Sequence, residues 1–346
     1  MPPSPNSSKG SAEHPIAVIG GGSWGTAIAY HLSVKGYPVR MWVYEPEVAE
    51  GINTRHENPL FLPGITLPGH VTASNDMAAV LDGIETLVMV VPSHFFRKIT
   101  EEAARHISGE AYIASAAKGI EDNTHKVMTQ ILEEVFPPSF HARIACLSGP
   151  SFAREVAQLK FTAVTVASRN METARYFQNV FTAPHFRAYT HTDPIGVQIG
   201  GALKNIMAIA VGVADGMEMG TNARAALITR GLAEISRIGK KMGADPATFL
   251  GLSGIGDLVL TCTGNLSRNR NVGLKLGQGL KIEEITRDMR MVAEGVVNTK
   301  SAYQLTQKLG VRAPVITAMY RILYKGLPLN EAVHEILSTE PGEEFE

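Results

Sequence analysis

Three charged side chains stand where charge is costly or where ligands gather. Lys204 interrupts the long apolar stretch 197–215, with Gln198 and Asn205 as its other polar breaks. Lysine is almost never fully buried without a partner, and so apolar a helix leaves it few routes to bulk water. Either it snorkels to a surface, or it is held in a cleft where desolvation lowers its pKa toward the range useful for proton transfer. Lys118, in Ala116-Ala117-Lys118-Gly119, follows a strand-like run at 111–115. It is either a solvated surface lysine or a ligand-facing one, because open α/β sheets bind ligands beyond the carboxyl ends of their strands. Asp257 lies beside two glycines in Gly254-Ile255-Gly256-Asp257-Leu258. Farther on, Ser267-Arg268-Asn269 opens a polar, basic segment; Arg268 can grip a phosphate through its planar fork with Asn269 beside it, or the segment is an ordinary solvated turn.

These groups need a frame, and the clearest part of it is near the start. The apolar Ile16-Ala17-Val18-Ile19 breaks into Gly20-Gly21-Gly22-Ser23-Trp24-Gly25 and resumes with helix-forming residues. Gly20, Gly22 and Gly25 satisfy G-x-G-x-x-G, whose mechanics require a turn without Cβ, bare backbone against a pyrophosphate, and close helix-to-strand packing. A helix opening near Ser23 aims free N–H groups at those phosphates. The pattern alone is weak. A second apolar run at 39–44 supplies the βαβ spacing, and Glu45 follows it, 20 residues after Gly25, where an acid accepts hydrogen bonds from the adenosine ribose.

A chain of 346 residues is too long for one small core and favours two domains. With 32 basic and 33 acidic side chains, nothing in the total charge points to a nucleic-acid or membrane-surface partner. Cys146 and Cys262 are too few for a disulfide framework and fit a reducing compartment, with Cys146 a buried small hydrophobe. The Ser- and Pro-rich residues 1–14 lack the apolar core of a signal peptide and read as a disordered tail. Stretch 197–215 is long enough to suggest a membrane span, but a central lysine costs roughly 2.5–3.5 kcal/mol for insertion. A buried helix is preferred, with a small-residue stripe at Gly201, Asn205, Ala208 and Gly212 that another element approaches closely.

Further strands are expected at 86–91, 111–115, 144–147 and 161–167, after which strand-like runs become rare. The breaker-rich Asn58-Pro59-Leu60-Phe61-Leu62-Pro63-Gly64 is a loop, either a packed connector or a functional one. In Ser148-Gly149-Pro150-Ser151, Gly149, Ser151 and a following helix N-terminus can hold an anion, or Ser151 is no more than an N-cap. A boundary near residue 193 divides the chain into a tail at 1–14, a Rossmann dinucleotide-binding domain at 15–193 and a helical substrate domain at 194–346.

Taken in order, these segments resemble one family, the soluble NAD(P)-dependent glycerol-3-phosphate dehydrogenases of the bacterial type. The match runs from about residue 16 to residue 337, and its specific pieces are the glycine turn, Leu62-Pro63-Gly64, Ala117-Lys118-Gly119, Ser148-Gly149-Pro150-Ser151-Phe152-Ala153, Lys204-Asn205, Gly254-Ile255-Gly256-Asp257-Leu258 and Ser267-Arg268-Asn269. The resemblance implies an α/β Rossmann-type N-terminal domain, an all-α C-terminal domain like that of 6-phosphogluconate dehydrogenase, and an active site between them. The implied reaction is reversible reduction of dihydroxyacetone phosphate to sn-glycerol 3-phosphate for phospholipid synthesis, by a cytoplasmic homodimer using NAD(H) or NADP(H) and no metal.

By the same resemblance Lys204 transfers the proton, Lys118 serves cofactor and substrate, and Gly149, Ser151, Asp257, Ser267, Arg268 and Asn269 are substrate-site positions. Ser23, Trp24, Tyr44, Glu45, Ala153, Val292 and Glu294 are cofactor contacts, with Arg268 touching both ligands. Chemically, hydride arrival at C2 leaves an alkoxide that an ammonium can stabilise and protonate. Lys118 then adds positive potential, Asp257 orients the ammonium or a substrate hydroxyl, and Asn205 fixes the neighbouring geometry. Two positions depart from the family pattern: Tyr44 where a basic or polar side chain is frequent, and Arg154 where lysine is. Glu45 favours NAD and repels a 2′-phosphate, whereas Arg40 or Arg55 folding back would accept one, so both cofactors are expected. Two other readings fit the same skeleton, a β-hydroxyacid dehydrogenase and a non-catalytic NAD(H)-sensing regulator, and a substrate assay separates them.

Overall fold

Strand β1 (Ile16–Ile19) is buried along its whole length, which is why Ile-Ala-Val-Ile shows no polar alternation. In the computed structural model of the protein, the described residues are 14–107, 109–287, 289 and 293–338, so residues 1–13 of the expected tail lie outside them. Among the described residues an eight-stranded sheet adds β2 (Val39–Trp42), β3 (Val71–Ser74), β4 (Thr86–Met89), β5 (Tyr112–Ser115), β6 (Ile144–Ser148), β7 (Thr162–Ala167) and β8 (Phe186–His191). Their order is β3-β2-β1-β4-β5-β6-β7-β8, and every neighbouring pair is parallel except β6 with β7.

From β1 the chain builds outward through β2 and β3, then returns to place β4 on the other side of β1. That reversal is the switch point at which an open α/β sheet leaves a crevice. Ile19 pairs with both Trp42 and Met89, so three strands end level there and the glycine turn leaves from the middle one.

The expected strands are present to within a residue or two at most ends. Strands β3 and β8 were not expected; β8 is the one strand that follows residue 167 among the described residues. Both lie at the sheet's two edges and alternate buried with exposed positions, so neither carries a continuous apolar run.

All strands precede the helix Pro194–Gly216, which Asp193 caps by accepting from the Gly196 N–H at 2.8 Å, with Pro194 at the first turn. This helix is long and apolar enough to cross a membrane, yet its apolar window is wholly buried inside the protein. Helices Gly220–Lys241, Asp257–Thr263, Arg268–Gly277, Glu294–Leu309 and Pro314–Lys325 pack on it.

The closest neighbour is Arg268–Gly277. Gly212 and Gly216 of one helix interleave with Gly273 and Gly277 of the other, and a Cβ at any of the four would come within 3.0 Å of the opposite backbone. Of the expected small-residue stripe, Gly212 belongs to this backbone-to-backbone seam, which continues one turn farther to Gly216, whereas Gly201 faces Ser148. Cys146 and Cys262 are both buried and unpaired, and burial pushes both thiols up, that of Cys262 to about 12.

Candidate active site

The cradle at the switch point is built by glycine geometry. Gly20 has φ +127°, and a Cβ there would lie 2.6 Å from the Val90 carbonyl oxygen. Gly25 presses on the Gly20 backbone, which brings the helix Ser23–Val34 close to the turn, whereas the space beside Gly22 is open. Gly22 caps that helix without a side chain, so the first N–H groups stay available to an anion. The loop at 58–64 is packed and also holds this turn: the buried Asn58 donates to the Gly21 carbonyl at 2.7 Å and to Thr26 Oγ1 at 2.8 Å. Trp24 Nε1 donates to the Ala116 carbonyl at 3.2 Å, tying the turn to the Lys118 loop.

Beyond the carboxyl end of β2, Glu45 is the N-cap residue of the helix Pro46–Arg55 and makes no capping bond, while Tyr44 beside it is 76% exposed. Arg40 does not turn back on this site; its Nη1 donates to the Asp82 carbonyl at 2.7 Å. Arg55 lies against Gly51 of its own helix. Phe95, 53% exposed, stands at the start of helix Ser93–Ala104 beyond the carboxyl end of β4.

Beyond β5 and β6 the sheet meets the helices around one carboxylate. Asp257 is fully buried; its Oδ1 accepts from Lys204 Nζ at 2.5 Å and its Oδ2 from Lys118 Nζ at 2.8 Å. A kinked turn, Leu252–Gly256, in which Gly254 departs from helical geometry (φ −96°, ψ −105°), leads directly into the helix that Asp257 begins. Lys204 also donates to Thr261 Oγ1 at 2.8 Å, and Lys118 to the Gly149 carbonyl at 3.2 Å. Of the three N–H donors on Lys204, two are engaged and the third is left for a ligand.

Burial lowers the Lys204 pKa to about 8; the Asp257 carboxylate resists the fall and the Lys118 ammonium adds to it. Glu294, at the start of helix Glu294–Leu309, has its carboxyl pushed up by burial against the pull of Arg268, Lys118 and Lys204. The hydroxyls of Ser115 and Ser148, which end β5 and β6, are buried without a hydrogen-bond partner. An open glycine turn, uncapped N–H groups and orphaned hydroxyls along the same strand ends fit a polar ligand lying across the crevice.

The polar chain continues into the helices. Asn269 Nδ2 donates to Asn205 Oδ1 at 3.0 Å, and Asn269 Oδ1 accepts from the Gly295 N–H at 3.0 Å. Ser267 caps helix Arg268–Gly277 by accepting from the Arg270 N–H at 3.2 Å, so the expected substrate serine is a structural cap as well. Arg268 is exposed at the first position of that helix, free to turn toward an anion. Ser151 donates to the Gly149 carbonyl at 2.9 Å and is not an N-cap; Phe152 caps the short helix that Ala153 begins. Val292 lies outside the described residues. Among the described residues no group of three or more His, Cys, Asp or Glu side chains could hold a metal ion.

Sequence reading missed Asn58, Thr261 and the pair Ser93 and Asn298, of which Asn298 donates to the Lys118 carbonyl at 3.4 Å and accepts from Ser93 Oγ at 3.2 Å. Two of these carried a signal: Thr261 stands four residues after Asp257, and Asn298 four after Glu294, each on the same helix face as a residue already singled out.

Comparison with known proteins agrees with this geometry. Residues 15–174 match the NAD-dependent glycerol-3-phosphate dehydrogenase N-terminus, and residues 193–334 the NAD-dependent glycerol-3-phosphate dehydrogenase C-terminus. The glycerol-3-phosphate dehydrogenase (NAD(P)+) of Syntrophobacter fumaroxidans is 49% identical over 332 residues, covering 96% of this chain and 98% of that protein. The enzyme of the same name from Geobacter sp. strain M21 is 51% identical over 323 residues, with 93% and 96% covered. A crystal structure of glycerol-3-phosphate dehydrogenase from Coxiella burnetii superposes with a TM-score of 0.89 at 38% identity, covering 95% of this chain and all of that one. A Rossmann-type sheet followed by helices, with lysines from both halves on one carboxylate, therefore carries the sequence of its kin: the chain belongs to the NAD-dependent glycerol-3-phosphate dehydrogenase family.

Proposed function

We propose that the cleft between sheet and helices reduces dihydroxyacetone phosphate reversibly to sn-glycerol 3-phosphate, with Lys204 as the proton donor. The observation that carries this reading is buried Lys204, 6% exposed, its ammonium fixed by Asp257 and Thr261 with one N–H left over, and sharing with Arg268 an electrostatic pull on Glu294. The reduced nicotinamide, when bound, supplies the hydride. Lys204 stabilises the oxygen of the C2 carbonyl and gives it a proton, leaving a neutral amine that a pKa of about 8 tolerates. In the oxidative direction the same amine takes that proton back.

Asp257 holds both ammonium groups in place, and Lys118 adds positive potential on the sheet side. Asn205 and Asn269 keep each other's amides oriented, which leaves Arg268, the remaining Asn269 N–H and the Arg268 backbone N–H for the phosphate. Gly149 and Ser151 border the substrate from the end of β6. Gripping the phosphate, remote from the reacting carbon, spends binding energy on aligning the carbonyl.

The glycine turn with Gly20, Gly22, Ser23, Trp24 and Gly25 takes the pyrophosphate, Tyr44 and Glu45 the adenosine, and Ala153, Val292 and Glu294 the remainder of the dinucleotide. Both NADH and NADPH serve, with NADH the better. Glu45 accepts from ribose hydroxyls and repels a 2′-phosphate, and Arg40 is engaged elsewhere. The reading extends to a cofactor domain at 15–193, a substrate domain at 194–346, a homodimer, a cytoplasmic setting, no metal, and a product destined for phospholipid synthesis.

A spectrophotometric assay tests it. Purified protein should oxidise NADH in the presence of dihydroxyacetone phosphate, more slowly with NADPH, and not with β-keto acids. Oxidation with keto acids alone would move the chain to the hydroxyacid dehydrogenases, and tight NADH binding without any turnover would make it a sensor.

A further inference from the structure

We propose that Asn298 is a positioning residue for Lys118, reaching from the helical half of the molecule to hold the loop that carries this lysine. Asn298 is 1% exposed on helix Glu294–Leu309. Its Nδ2 donates to the backbone carbonyl of Lys118 at 3.4 Å, and its Oδ1 accepts from Ser93 Oγ at 3.2 Å. A carbonyl oxygen offers only lone pairs, so the amide nitrogen must face Lys118 and the amide oxygen is left for Ser93. Chemistry therefore fixes the amide's orientation.

The fit around it is close. A Cβ at Gly119 would stand 3.1 Å from Asn298 Oδ1 and under 3.0 Å from Ser93, so the loop after β5, the end of β4 and the helix meet with nothing between them. Lys118 is thus tied at both ends, its backbone by Asn298 and its ammonium by Asp257. Both ties come from the helical part, although the lysine belongs to the sheet. Glu294, Gly295 and Asn298 share one stretch of helix, and the Gly295 N–H is bonded to Asn269. One helix turn therefore spans the distance between the phosphate anchor and the Lys118 loop.

This inference rests on the role given to Lys118 above, and a double-mutant cycle separates the two. Asn298→Ala frees the Lys118 carbonyl and the Ser93 hydroxyl from their shared partner, and kcat for dihydroxyacetone phosphate reduction should fall about 10- to 100-fold, the scale of a misplaced group. In the Lys118→Met background the same change should alter kcat by no more than about twofold, because the group it positions is gone. An equal proportional loss in both backgrounds, or no loss in the parent enzyme, overturns the proposal. Should Asn298→Ala fail to fold, Ser93→Ala run through the same cycle decides by the same criterion. Full turnover by Lys118→Met alone would instead overturn the role of Lys118, and the proposal with it.

Discussion

Asp257 and Glu234 are both carboxylates inside the helical half, 0% and 1% exposed, and they are held by opposite means. Asp257 faces two ammonium groups that arrive from different elements, Lys204 from the central helix and Lys118 from the sheet. Glu234, on helix Gly220–Lys241, accepts instead from the backbone N–H groups of Val315 at 2.7 Å and Ile316 at 3.2 Å. Those donors begin helix Pro314–Lys325, whose N-cap residue Ala313 has no side chain to offer them. Backbone donors neither titrate nor leave, so Glu234 is a cap supplied from a neighbouring helix. Burial of a carboxylate does not mark a working site; the chemistry of its partners does.

The sharpest test of that contrast is Lys204→Met, which should lower kcat for reduction about 10²- to 10⁴-fold while NADH binding, followed by fluorescence titration, is kept. Near-normal turnover would make the Asp257 pocket as structural as the Glu234 one. Asp257→Asn keeps the shape and removes the charge that supports the Lys204 ammonium. With Lys204 as the proposed proton donor, reduction by the parent enzyme should decline above about pH 8 and oxidation should rise through the same range. In Asp257→Asn this limb should move to lower pH, and an unmoved limb would show that Asp257 is not the counter-ion.

Arg268→Ala should cost about 1.5–3 kcal/mol in kcat/KM for the phosphorylated substrate, the scale of a hydrogen bond to a charged group. An unchanged kcat/KM would free Arg268 from the phosphate. For turnover the smallest effect belongs to Glu234→Gln, which should leave kcat at its parent value and act on stability alone.

Burial, working against the two backbone donors and against Arg237 and Arg230, raises the Glu234 pKa from 4.5 to about 7. Between those values the folded protein holds a proton that the unfolded chain has released. Glu234 therefore makes the parent lose stability as pH rises through this window, by up to ~3 kcal/mol. Denaturant melts across the window should show this slope reduced in Glu234→Gln; an identical slope in both would assign it to another group.

The sequence made the cofactor cradle legible because its chemistry is local. Turn, helix start and acid lie within one βαβ unit, and each obeys a spacing rule. Lys204 and Asp257 announced themselves as charges beside apolar or glycine-rich residues, and Arg268 as part of a polar, basic segment. What stayed hidden depends on pairing across the chain. The antiparallel β7 reads like any other apolar strand, since direction leaves no mark on composition. The edge strand β8 alternates Phe186 and Ala188 inward with Arg187 and Tyr189 outward, too weakly apolar to register. Ser267 and Ser151 have the right chemistry for a ligand, but only coordinates show that each already serves a backbone group. Asn58 looked like loop punctuation, and its hold on the glycine turn bridges 37 residues of chain.

The four-glycine seam has a consequence for the site. At the four glycines the two helices meet backbone to backbone, with no rotamer there to repack and no side chain to yield, so a shift of one is passed directly to the other. Lys204 rides on the first helix and Arg268 opens the second. The seam therefore couples the backbone positions from which Lys204 and Arg268 project, so that neither helix shifts without the other.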